Sequence, residues 1–145
     1  MKKVLFAILG VFILIQFIRP DKNNSKNETN AISTVMEVPV EVNKIIKTSC
    51  ADCHSNTTVY PWYNEIAPVS WFLAQHVNEG KEHLNFSEWT TYNKDQKGHL
   101  LKGLKEVLNE REMPLESYLW IHKDAKLTEN QYQILYDWVK TIKVD

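Results

Sequence analysis

The chain has 145 residues and a formal net charge of −1, with 17 Lys and Arg against 18 Asp and Glu. A nucleic-acid binder needs a clear basic excess, so no nucleic-acid partner is expected. The only two cysteines, Cys50 and Cys53, exclude a multi-disulfide scaffold, and the length suits one small domain plus a separate leading segment.

Charge is unevenly spread. Five basic residues stand against Asp21 and Glu28 in the first 34 positions, whereas the chain from Val35 onward has 12 basic and 16 acidic residues. After Met1-Lys2-Lys3 the run Val4 to Ile18 contains Gln16 as its one strongly polar side chain, and Arg19-Pro20 ends it. Residues 1–19 therefore read as a signal or membrane-anchor segment. No small-residue cleavage pattern follows, which favours an uncleaved anchor over residues 4–18 with its lysines left in the cytoplasm. The run is nevertheless shorter than the roughly 20 residues of a full span. A cleaved signal and a freely periplasmic domain are the alternative. Both readings export the rest of the chain, to the periplasmic face of the inner membrane or to the periplasm. Residues 20–34 are rich in Asn, Ser, Lys and Thr, with Ile32 as the one large apolar side chain, and read as a flexible linker. The domain is then 35–145.

Four helices are predicted within it. The first runs from Pro39 to about Thr48, with Val42, Ile45 and Ile46 on one face. The second runs from Pro68 to Glu79, with Val69, Phe72, Leu73, His76 and Val77 as its apolar stripe and Gly80 as its stop. The third spans Asp95 to about Glu110 around Leu100, Leu101, Leu104, Val107 and Leu108, weakened by Gly98 and Gly103. The fourth begins at a Thr128–Gln131 capping box and buries Tyr132, Leu135, Trp138, Val139 and Ile142. No strand-like alternation competes. The expected fold is all-α, with long loops at 49–67, 81–94 and 111–127 and a hydrophobic helix ahead of the domain.

The segment CADCH, residues 50–54, carries the chemistry. Two thiols three positions apart on a helical turn reach the two vinyl groups of one haem, and the adjacent histidine lies beneath the iron. Cys50 and Cys53 are thus candidates for covalent thioethers and His54 for the proximal iron ligand of one haem c. Three blander readings compete: a local disulfide or a redox pair, the latter normally beside strands; a zinc site using two histidines, for which His76 and His83 are too widely spaced; and a chance match, against which three rare residues in a five-residue pattern argue.

The sixth ligand is more open. Met113 precedes Pro114 in REMPLESY, and proline holds the preceding residue extended, so Met113 is the first candidate. Its alternative role is a core gap-filler. His76, on the expected apolar stripe, is the alternative ligand. Met36 is the other internal methionine; His83, His99 and His122 read as surface or loop-bracing residues. Trp62, Tyr63 and Trp71, with Tyr60, are candidates for packing on the haem or ordinary core residues. Arg111 is a candidate partner for a propionate. No catalytic residue is identified.

The strings CADCHSN, YPWYNEIAPVSWFLAQHVNEGKEHLNFSEW and EMPLESYLWIHKDAKLT, followed by a terminal helix containing Asp137-Trp138, resemble the bacterial haem-binding domain family of small exported c-type cytochromes. The resemblance runs from about residue 40 to the end. It implies a mostly helical, cytochrome c-like single-haem domain in which Cys50 and Cys53 attach the haem, His54 is axial, and Met113 occupies the ligating Met-Pro position. The expected activity is electron transfer with redox partner proteins of the respiratory chain or periplasm, rather than catalysis. A haem-based sensor, or a domain reactive to small ligands or peroxide through a labile sixth site, is the alternative.

Overall fold

Apolar stripes spaced three and four residues apart leave this chain little choice but to pack helix on helix. The computed structural model, which describes residues 1–144, contains seven α-helices and no strand among the described residues. They are α1 (Lys2–Ile15), α2 (Val40–Ser49), α3 (Ala51–His54), α4 (Val69–His83), α5 (Lys94–Glu110), α6 (Glu116–Leu119) and α7 (Glu129–Thr141). Short 3₁₀ turns at Trp62–Glu65, Phe86–Thr91 and Lys123–Ala125 break up the long loops. The all-α expectation is met.

The core follows the predicted stripes of α2 and α7. Val42, Ile45 and Ile46 meet Tyr132, Leu135, Trp138, Val139 and Ile142, with Leu101 and Leu108 of α5 closing the third side. Each such side chain contributes roughly 1.5–3 kcal/mol on burial. The Thr128–Gln131 capping box opens α7 as expected, and α5 opens on a second box, Asn93 with Gln96, one residue before the predicted start. At the other end of α5, Arg111 takes up a left-handed conformation (φ 61°), a place where glycine is usual. Its guanidinium accounts for the exception, donating to the Leu108 and Asn109 carbonyls at 2.9 and 2.7 Å and so capping the helix with its own side chain.

Helix α4 departs from expectation twice. Its buried residues are Ser70, Ala74 and Val77, while Val69 and Phe72 of the predicted stripe are exposed at 40% and 51%. Gly80 does not stop the helix, which continues to His83. A Cβ at Gly80 would fall 2.6 Å from the Cys53 carbonyl oxygen and 2.9 Å from Cys53 Cβ. The glycine is there to let α4 cross α3.

The leading hydrophobic helix forms, and none of its residues is buried. Its 14 residues rise about 21 Å, against a hydrocarbon core of about 30 Å. No helix among the described residues is long and apolar enough to cross a membrane. The segment expected as a solvated linker is hydrogen-bonded to the domain through its amides. Asn23 Nδ2 donates to the Ser55 carbonyl at 2.8 Å, Asn56 Nδ2 to the Asn27 carbonyl at 3.0 Å, and Lys26 N–H to the Asn56 carbonyl at 3.1 Å. Short polar side chains that cannot build a core can still stitch backbone to backbone.

Candidate cofactor site

Helix α2 ends where Cys50 leaves helical geometry (φ −130°, ψ −38°), and α3 starts at once. The His54 N–H bonds back to the Cys50 carbonyl at 2.9 Å, so CADCH is a single helical turn. Both thiols are free and half-buried. Burial pushes Cys50 up to about 12, with the nearby Cys53 adding to it, and Cys53 up to about 11, with Asp52 adding to it. They are neutral thiols at physiological pH.

His54 is oriented by its backbone surroundings. Its Nδ1 lies 2.9 Å from the Leu84 carbonyl oxygen. A carbonyl can only accept, so the ring proton sits on Nδ1 and the lone pair on Nε2. Burial also lowers the His54 pKa and favours the neutral ring, outweighing the backbone contacts with Leu84 and Gly80. A neutral imidazole with Nδ1–H on a carbonyl and Nε2 bare is the form in which histidine ligates a metal.

A buried polar network holds the Leu84 carbonyl in place. Asn56 N–H donates to Ser87 Oγ at 3.0 Å, Asn85 Nδ2 to Asn56 Oδ1 at 2.9 Å, and Asn56 Nδ2 to the Glu88 carboxylate at 2.5 Å. These bonds join the residues after His54 to those after Leu84. The sequence string CHSN contains the first of them but gives no hint of its partners.

Two tyrosines hold the Met-Pro segment, one to the motif and one to the core. Tyr118 Oη donates to Asp52 Oδ2 at 2.7 Å, while Asp52 Oδ1 accepts the Val59 N–H at 3.0 Å. Burial, then this bond, raises the Tyr118 phenol far above its ordinary value. Tyr132 Oη donates to the Met113 carbonyl at 2.9 Å from within the core against which Cys50 also packs. Met113 itself is half-buried and Pro114 buried. Asp52 and Tyr118 were missed in the sequence because a pair 66 positions apart leaves no local pattern.

The other candidates stand as follows. His76 points Nδ1 at the Phe72 carbonyl of its own helix, 2.8 Å away, and its ring lies 4.1 Å from that of Phe72. His83 makes the same kind of bond to the Glu79 carbonyl, and His99 is exposed. His122 stacks on Tyr118 with centroids 4.1 Å apart and rings within 10° of parallel. Trp62 is 77% exposed and meets Tyr63 edge-on at 5.8 Å. Trp71 Nε1 donates to the Ile18 carbonyl at 2.8 Å, and Tyr60 Oη accepts the Asn23 N–H at the same distance. Arg111 is engaged with Glu129 at 2.6 Å and with the face of Tyr132 at 4.8 Å, besides capping α5. Among the described residues no three His, Cys, Asp or Glu side chains converge to hold a metal ion, which leaves the zinc reading without a ligand set.

The residues at CADCH fit a haem. Two unpaired thiols and an imidazole with a bare Nε2 share one turn, and a glycine keeps the neighbouring helix off it. No curated protein and no solved structure matches the chain. A family model described as the haem-binding domain matches residues 10–141, so the chain belongs to that family and haem is its cofactor.

Proposed function

We propose that the protein is an exported, membrane-associated monohaem c-type cytochrome that transfers electrons. The observation that carries this reading is the Nδ1 bond from His54 to the Leu84 carbonyl, made on the same helical turn as two free thiols. Cys50 and Cys53 would hold the haem by thioethers, and His54 Nε2 and the Met113 sulfur would ligate its iron. Haem so held supplies a one-electron couple, and His/Met ligation raises its potential.

The chain's own residues do the rest. Leu84 fixes the tautomer of His54, Gly80 sets the α3–α4 crossing, and Tyr118 and Tyr132 hold the loop that carries Met113. Burial keeps both thiols protonated, and so resistant to oxidation, until attachment. The apolar α1, with lysines at its start and Arg19 and Lys22 beyond its end, would keep the domain at the membrane where respiratory partners sit.

A redox titration of the full chain with carbon monoxide added to the reduced form tests this. The expected result is one reversible one-electron couple and no carbon monoxide adduct. Ready adduct formation would replace electron transfer with the sensor or peroxide-reactive reading.

A further inference from the structure

A helix apolar on all sides must be covered by lipid or by protein, and no residue of α1 is buried against the domain. What the domain does is grip the chain as it leaves that helix. The Gln16 side chain pairs with the Ala67 backbone in both directions, Nε2 donating to the carbonyl at 3.1 Å and Oε1 accepting the N–H at 2.9 Å. Two residues on, the Ile18 carbonyl accepts from Trp71 Nε1 at 2.8 Å. Arg19 and Lys22 then both pair with Glu65. Turn-type bonds carry the helix through Ile18, with Gln16, Phe17 and Ile18 N–H bonded to the Ile13, Leu14 and Ile15 carbonyls. A freely swivelling joint would have none of these bonds.

The surface around this grip is apolar. Ile66 and Val69 bracket Ala67 in sequence and are 37% and 40% exposed; Phe72, one turn further along α4, is 51% exposed. Trp62, one turn before Ile66, is the most exposed of the group. Arg19 and Lys22 stand at the edge of the same region, as cations do where a helix meets anionic headgroups, and tryptophan is the side chain enriched at that level. If α1 lies in lipid, the grip carries Ile66, Val69 and Phe72 to the bilayer surface with it.

We propose that residues 16–22 are a rigid splice that docks the domain on a lipid bilayer, with the Trp62–Phe72 face resting on the headgroups. The inference deepens the membrane-associated reading above and rests on it. It also fixes where the haem motif stands. Gly80, at the α3 crossing, lies eleven residues along α4 from Val69, about 16 Å at the helical rise per residue. The α3–α4 crossing is thus held about three helical turns from the start of α4, where the splice grips.

With the haem attached, Cys50 and Cys53 are consumed, and a new cysteine is a unique labelling site. Spin labels at Phe6→Cys, Val69→Cys, Phe72→Cys and, as a remote control, Lys102→Cys are placed on the full haem-loaded chain in vesicles of phosphatidylethanolamine and phosphatidylglycerol. Collision with a water-soluble nickel chelate is expected to fall about threefold or more at positions 69 and 72 relative to the same protein in mild detergent, and not at 102. Gln16→Ala combined with Glu65→Ala should restore collision at 69 and 72 while the label at 6 stays in lipid. Haem absorbance reports folding of every variant.

Labels at 69 and 72 as open as that at 102, with 6 in lipid, would overturn the splice and leave a free tether. Protection at 69 and 72 that appears without lipid and grows with protein concentration would overturn it in favour of a second copy of the chain. A label at 6 that stays in water would remove the membrane reading itself.

Discussion

The phenol of Tyr118 donates to the carboxylate of Asp52 at 2.7 Å, joining α6, directly after the Met113-Pro114 loop, to the middle of CADCH. One bond thus spans the two motifs that the proposed coordination requires, and Tyr132, bonded to the Met113 carbonyl, braces the same loop from the core side. Removing the hydroxyl alone, as Tyr118→Phe, should cost about 1–2 kcal/mol of stability, the range for a hydrogen bond to a charged acceptor reduced for partial exposure. Denaturant unfolding of the haem-loaded chain checks the cost. The oxidised spectrum should also show a weaker methionine–iron band; an unchanged spectrum would make the bond purely structural.

Gly80→Ala should be harmful although alanine is the better helix former. The gain in propensity is at most about 1 kcal/mol, while the new Cβ meets backbone 2.6 Å away, which cannot rotate aside. Overpacking of this kind costs about 1–3 kcal/mol. Thermal melts should show a net loss, and haem loading per chain should fall because the clash is with Cys53. A more stable, fully loaded variant would contradict the role given to this glycine.

Met113→Ala and His76→Ala separate the two candidate sixth ligands. His76 Nδ1 is bonded within its own helix and its ring lies against Phe72, so its replacement should leave the spectrum and potential unchanged. Loss of Met113 should abolish the long-wavelength methionine–iron band of the oxidised protein. The midpoint should drop by on the order of 100 mV, within the roughly 0.8 V range that axial ligands span. The reverse pattern would make His76 the ligand.

The haem-free chain should lose stability in alkali. Both cysteines have pKa values raised by burial, to about 12 and about 11 from an ordinary 9.0. The unfolded chain therefore releases these protons first, and the folded chain binds more protons between pH 9 and those values. The contribution of the neutral thiols is complete below pH 9 and disappears as pH rises through about 11 to 12. Tyr118, raised above 10.0 chiefly by burial, acts in the same direction. Denaturation midpoints at pH 7 and at about pH 10.5 should differ, and the difference should shrink in a Cys50→Ala/Cys53→Ala variant. Alkylation at neutral pH should run about a hundredfold slower than for an ordinary thiol; ordinary rates would show the thiols to be exposed.

What could be read in the sequence was whatever local pattern determines. The stripes of α2 and α7 were legible because every third or fourth residue there is apolar and every one is buried. The stripe of α4 was misread because Val69 and Phe72 are apolar yet face outward, and periodicity cannot tell a buried apolar face from an exposed one. Gly80 was misread for a related reason. A glycine at a close helix crossing and a glycine at a helix end look alike until the neighbouring backbone is known. At the site, Cys50, Cys53 and His54 announced themselves by spacing, but the acceptor that orients His54 is the Leu84 carbonyl, and a backbone oxygen has no sequence signature. The polar stretch 20–34 lacks the apolar residues of a core, and composition alone could not reveal its amide bonds to Ser55 and Asn56.

The central claim is that Cys50 and Cys53 hold one haem covalently, and intact-mass spectrometry of the denatured full chain tests it most directly. The account predicts the mass of the polypeptide plus one haem, surviving acid–acetone extraction and reverting to the bare polypeptide mass in Cys50→Ala/Cys53→Ala. A denatured chain at the bare polypeptide mass, with all haem in the acetone layer, would contradict it.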